Sequence, residues 1–244
     1  MCFSAESSFA VAGLLLPAGV YCVRKALREE PAYLGFALIP FGFSIQQAVE
    51  GLVWLGLRYD APVLKAWGAT IYLLFALAIW PIWFPLSAAW AEPPGIRRWI
   101  LTAWTTVGSL WLYLAWFPVL NDPSKIRVEV IEHSLRNRYP DSFLASGPSQ
   151  WFMTTIYMVC TVIPLLLMSR WREMIVPVAI GLFSAIISGW FYNYSYTSVW
   201  CFFAAVLSMY CVYFFGTFGS SHNHLRQHGG IFAERVGISR APPR

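Results

Sequence analysis

The sequence predicts an all-α integral membrane protein: a seven-transmembrane-helix bundle with its amino terminus out and its carboxyl terminus in. Three observations predict it. Hydrophobic residues make up 58% of the 244, charged residues only 12%, and mean hydropathy is +0.55. An ordinary soluble domain carries roughly 25% charge. Apolar stretches long enough to cross a bilayer recur seven times, and the basic residues fall in alternate gaps between them. These features exclude a soluble globular enzyme, a disordered chain and a disulfide scaffold. The net charge of +5 follows the orientation rule for membrane proteins, so it does not point to nucleic acid.

The seven spans are 7–23, 31–57, 62–91, 99–120, 151–169, 174–191 and 196–218. A bilayer core asks for about 20 apolar helical residues and tolerates about 17, so the first and sixth are short. The second and third are long enough to tilt or kink. Pro40, Pro81 and Pro85 remove helical hydrogen bonds where kinks are expected. The first span is not a signal peptide, because Arg24, Lys25 and Arg28 follow the apolar run instead of preceding it. Ser4 is placed to cap its first turn.

Charge sets the orientation. One side of the short loops holds Arg24, Lys25, Arg28, Arg97, Arg98, Arg170 and Arg172, whereas the other holds Arg58 and Lys65. The richer side is cytoplasmic, which assigns the chain to the cell inner (plasma) membrane. Residues 1–218 form the transmembrane domain, with 121–150 as an extracytoplasmic segment between helices 4 and 5. Within it Ile126, Val128 and Val130 alternate with Arg127 and Glu129, so 125–138 predicts a small hairpin. Residues 219–244 form a cytoplasmic tail rich in Gly, Ser, Pro and Arg. No internal repeat is present, so the inverted-repeat signature of secondary transporters is missing.

Glu50 stands out as the acidic residue well inside a span. An ionisable group there costs about 2.5 kcal/mol or more, so such residues face the bundle interior and mark sites. Gln46, Glu50 and Trp54 share a helix face at spacings of four, with Gln47 beside them. The plain reading is a carboxyl that holds helices together. Removal of the initiator Met is expected to leave Cys2 with a free amine beside its thiol, a pair suited to metal chelation or nucleophilic attack. Its plain reading is a small apolar residue at a helix entrance. Cys201 lies about 8 Å deep on the same outer side. Cys2 and Cys201 are read as a disulfide, a metal site with Glu50 or His133, or neither. Trp200 and the polar and aromatic residues 192–198, Ser198 among them, sit at the same outer layer, where most are expected to be interface anchors. Asn193-Tyr194-Ser195 matches a glycosylation pattern but lies tight against the membrane.

Several cofactors are excluded. No histidine lies in a span, so haem ligated within the bundle is ruled out. Lys25, Lys65 and Lys125 all lie outside the last span, which rules out a rhodopsin-type retinal Schiff base. His222, His224 and His228 belong to a polar tail. No P-loop, His-Glu-x-x-His or Gly-x-Ser-x-Gly motif is present.

Met1-Cys2-Phe3-Ser4-Ala5 with Ser8-Phe9, Gln46-Gln47-x-x-Glu50-Gly51 and Trp200-Cys201 resembles a family of uncharacterised bacterial multi-pass membrane proteins that open in this way. The resemblance implies a bacterial membrane protein and assigns no catalytic residue. The expected function is binding or transport of a small ligand or cation at an outward-facing polar site formed by Gln46, Gln47, Glu50, Trp54 and Trp200. The alternatives are an intramembrane thiol- or metal-dependent enzyme, with Cys2, Cys201, Glu50 and His133 as candidate ligands, and a non-catalytic subunit of a larger membrane complex. The expected partners are the lipid bilayer and a small molecule or metal cation.

Overall fold

A computed structural model of the chain describes residues 4–121, 123, 126–131, 133–138, 147–191 and 196–217. Cys2, the glycosylation pattern at 193–195 and the tail beyond 217 lie outside the described residues. The fold is mostly helical. Five helical stretches are long and apolar enough to cross a membrane: Ala5–Glu29, Pro31–Arg58, Pro62–Ala91, Trp171–Phe191 and Ser198–Thr217. Ile96–Asn121 and Gly147–Leu167 are two further helices, of 26 and 21 residues.

The first helix, α1 (Ala5–Glu29), is not short. It runs 25 residues, because its charged end continues as helix. Lys25 and Glu29 pair there at 2.6 Å across one turn. At the start Ser4 and Ser7 form a reciprocal capping box. The second stretch opens with a 3-10 turn and the short α2 (Leu34–Ala37), then passes Leu38 into α3 (Ile39–Arg58). The third is divided into α4 (Pro62–Leu73), a π-helical turn over Leu74–Ile79, and α5 (Trp80–Ala91). Then follow α6 (Ile96–Asn121), α7 (Gly147–Leu167), α8 (Trp171–Phe191) and α9 (Tyr196–Leu207), whose line continues through 210–217.

Proline explains where these helices deviate and how neighbours hold them. A proline at position i leaves the carbonyl of residue i−4 without its helical donor, and inside a bilayer water cannot replace it. Pro81 frees Leu77, whose carbonyl accepts from the Trp111 indole on α6 at 2.6 Å. Pro177 frees Glu173, which accepts from the Tyr210 hydroxyl at 3.1 Å. Pro40 frees Phe36, which accepts from the Cys211 thiol at 3.7 Å. Pro85 frees Pro81, and Gly108 brings a bare Cα against that carbonyl, where a Cβ would collide.

α3 packs along both α1 and α4, α5 on α6 and α7, and α8 on α9, while α9 reaches back to α3. The expected hairpin is present: β1 (Arg127–Ile131) pairs antiparallel with β2 (Ser134–Arg138), with Val128 opposite Asn137 and Glu129 opposite Arg136. It packs on α9, and Ile126 and Leu135 join Val53, Tyr72 and Cys201 in one buried cluster. α8 turns Phe183, Ile186 and Trp190 outward. In water that face would be an apolar liability, whereas in a bilayer it meets lipid.

Candidate functional site

The hairpin end of the bundle contains a sealed polar layer. α3 contributes Gln46, Gln47 and Glu50, one helical turn of side chains facing inward. All three are 0% exposed, as are Ser198 and Cys201 of α9. Both Glu50 carboxyl oxygens accept from neutral donors: Oε1 from the Ser198 hydroxyl at 2.6 Å, and Oε2 from Gln47 Nε2 at 3.1 Å. Gln46 Oε1 accepts from the Trp80 indole N–H of α5 at 2.9 Å. Gln46 Nε2 has no nitrogen or oxygen acceptor among the described residues. It lies beside the Cys201 thiol, which also meets the Tyr72 hydroxyl of α4 and the field of Glu50.

Local packing aims these groups. Ser44 on α3 donates to the Ala12 carbonyl of α1 at 2.8 Å, which sets the register of that pair. Gly51, next to Glu50, lets the Phe9 ring of α1 come so close that a Cβ would overlap it. Ser8, one helical turn from Ala12 on the same α1 face, is fully buried at this level, with no hydrogen-bond partner for its hydroxyl among the described residues. Trp80 stacks on Phe43 with ring centres 4.1 Å apart, which fixes the indole that reaches Gln46.

The sequence-predicted residues divide into three groups. Gln46, Gln47, Glu50 and Cys201 converge. Trp54 and Trp200 flank them: Trp54 packs under the hairpin with Val128, and Trp200 meets Tyr157 edge-on at 5.4 Å. His133 is exposed at the hairpin turn, with φ 61°. Lys65 packs against Gly56, six residues along α3 from Glu50. Cys201 carries a free thiol. Among the described residues, no group of three or more His, Cys, Asp or Glu is placed to hold a metal.

Ser198 is not an interface anchor. It is a buried partner of Glu50 from a helix 148 positions away in sequence. Its spacing of three from Cys201 puts both on one helix face, the signal that would have marked it. Trp80 and Tyr72 carried no such signal, since each sits in an apolar run. A second buried carboxyl also escaped notice. Glu92, at the end of α5, accepts from the backbone N–H and hydroxyl of Ser169 at 2.6 and 2.8 Å and ties the α7–α8 turn.

On the far side of the Trp80 ring, α3, α5, α7, α8 and α9 line a partly open cavity of about 120 Å³, with Phe43, Trp80, Met158, Met174, Trp200 and Phe214 among others in its wall.

A family model matches residues 1–224. The chain belongs to DUF6629, a family of unknown function. The match spans every described helix and the residues at 46–51 and 198–201 that build the polar layer. No curated protein matches the chain, and no solved structure does.

Proposed function

We propose that this is a seven-span protein of the inner membrane that binds a small polar ligand or a cation at Glu50, reached from the outer side. The observation that carries the reading is a fully buried carboxyl that accepts, among the described residues, from neutral donors on two helices, with Gln46 and the Cys201 thiol at the same layer. A carboxyl kept in the hydrocarbon zone is costly, and a packing contact between helices does not need one. The site is occluded. Hairpin residues cover it on one side and Trp80 on the other, so entry requires the hairpin to shift. The uneven distribution of basic residues between alternate loops supports the orientation, which puts the hairpin outside.

The test uses the full chain in detergent. Thermal unfolding is followed with Na⁺, K⁺, Mg²⁺ and Zn²⁺ chlorides in turn. A ligand bound only to the folded state at 100 times its Kd adds about 2.7 kcal/mol. Glu50→Gln is expected to fold and to lose the shift. A shift that survives both Glu50→Gln and Ser198→Ala would place the ligand elsewhere. A reporter fused after Arg244 tests the orientation, and activity on the outer side of the membrane would reverse it.

A further inference from the structure

The wall of the cavity is more apolar than its residue names suggest, because the polar groups of Thr161, Ser208, Tyr210, Cys211 and Trp80 are bonded elsewhere. The Thr161 hydroxyl donates to the Tyr157 carbonyl at 3.0 Å, and that of Ser208 to Ala205 at 2.6 Å. Tyr210 and Cys211 donate to Glu173 and Phe36, the two carbonyls that Pro177 and Pro40 deprive of a helical donor. The Trp80 indole N–H points away from the cavity, to Gln46. The wall therefore presents carbon and sulfur, contributed by phenylalanines, by Met158 and Met174, and by two indole faces. Water does not settle in an apolar cavity, because it needs two to four polar partners. Its volume of about 120 Å³ is several times the roughly 10–15 Å³ that a single water needs, and its partly open side gives a slender chain a way in. Hydrocarbon entering it gains dispersion contacts along its whole length, and flexible methionines adapt to its shape.

We propose that this cavity is a binding site for a long hydrocarbon chain, of the kind that membrane lipids and isoprenoids carry. The chain lies among α3, α5, α7, α8 and α9, and one end abuts Trp80. The inference does not rest on the Glu50 reading, since the cavity and the polar layer lie on opposite sides of that indole.

Two positions allow the cavity to be filled without disturbing the bonded polar groups. Ala204 lines it from α9. Gly181 lines it from α8, where an added Cβ would meet only Leu207, at 3.6 Å. The full chain is stripped of lipid by detergent exchange. It is then incubated with an equimolar mixture of a diacyl phosphatidylglycerol and an isoprenoid quinone, and examined by native mass spectrometry. The wild type is expected to retain one adduct per chain, and the adduct mass identifies the phospholipid or the quinone as the source. Either supports the proposal. Ala204→Phe and Gly181→Leu are expected to retain about tenfold less, equivalent to 1.4 kcal/mol of binding. Thermal unfolding of the stripped wild type, with each lipid added, serves if a variant does not fold, and a rise in Tm is expected. Equal adducts on the wild type and both variants overturn the proposal, as does a wild type with neither adduct nor Tm rise.

Discussion

Gln47 and Ser198 both donate to Glu50, and the two donors play different roles. Gln47 is a neighbour on the same helix, so its bond at 3.1 Å forms with the helix itself. Ser198 comes from α9, so its 2.6 Å bond exists only once the bundle has closed. Removing the hydroxyl leaves a buried carboxyl oxygen without that donor, a loss of about 1–3 kcal/mol. Ser198→Ala is therefore expected to lower stability by that amount in equilibrium unfolding in mixed micelles, and an unchanged midpoint would show that the α9 contact contributes nothing. The Glu6–Arg58 pair provides a contrast. It is as short, at 2.7 Å, yet both side chains are at least half exposed, so water screens it and its removal is expected to leave the midpoint unchanged.

At the scale of elements, proline placement couples the helices. The carbonyls freed by Pro40, Pro81, Pro85 and Pro177 are each met by a donor or a bare Cα from another part of the chain, so a local defect becomes an interhelical contact. Tyr210 and Pro177 allow the cleanest check, because α8 is regular helix through Pro177. Tyr210→Phe is expected to cost about 1–3 kcal/mol. The same change made together with Pro177→Ala is expected to cost far less, because residue 177 then supplies its own N–H to the Glu173 carbonyl. A double-mutant cycle reads the difference, and equal costs in both backgrounds would disprove the coupling. The contact between α5 and α6 is as sensitive. Gly108→Ala drives a methyl group into the Pro81 carbonyl and is expected to destabilise by about 1–3 kcal/mol, since backbone on both sides leaves little room to yield.

For the molecule as a whole, the hairpin and the bundle act together to close the polar layer. Leu135 is 2% exposed and packs in the cluster that contains Cys201. With the other four of the five cysteines replaced by alanine, and on the orientation proposed above, Cys201 is expected to resist a membrane-impermeant maleimide applied from outside. Leu135→Asp puts a charge into that cluster, lifts the hairpin and is expected to make Cys201 reactive from the outer side. Equally slow labelling with and without Leu135→Asp would show that the hairpin is not the cover.

Composition and periodicity determined the membrane class, the helical stretches and the hairpin, because each follows from local chemistry. A bilayer admits backbone only when its hydrogen bonds close within the segment, and alternation along 126–130 is sufficient for a strand. The stripe of Gln46, Glu50 and Trp54 was legible for the same reason, as 3.6-residue periodicity places it on one face. What faces that stripe was decided by tertiary structure alone. Ser198, Trp80 and Tyr72 become partners of one layer only when α9, α5 and α4 close around α3; the spacing of Ser198 from Cys201 marks their shared helix face but not the Glu50 carboxyl it meets. The length of α1 was misjudged because apolarity ends at Val23, whereas the helix, held by Lys25 and Glu29, continues to Glu29. Hydropathy measures what lipid will accept, and helix length depends also on the charged turns beyond it.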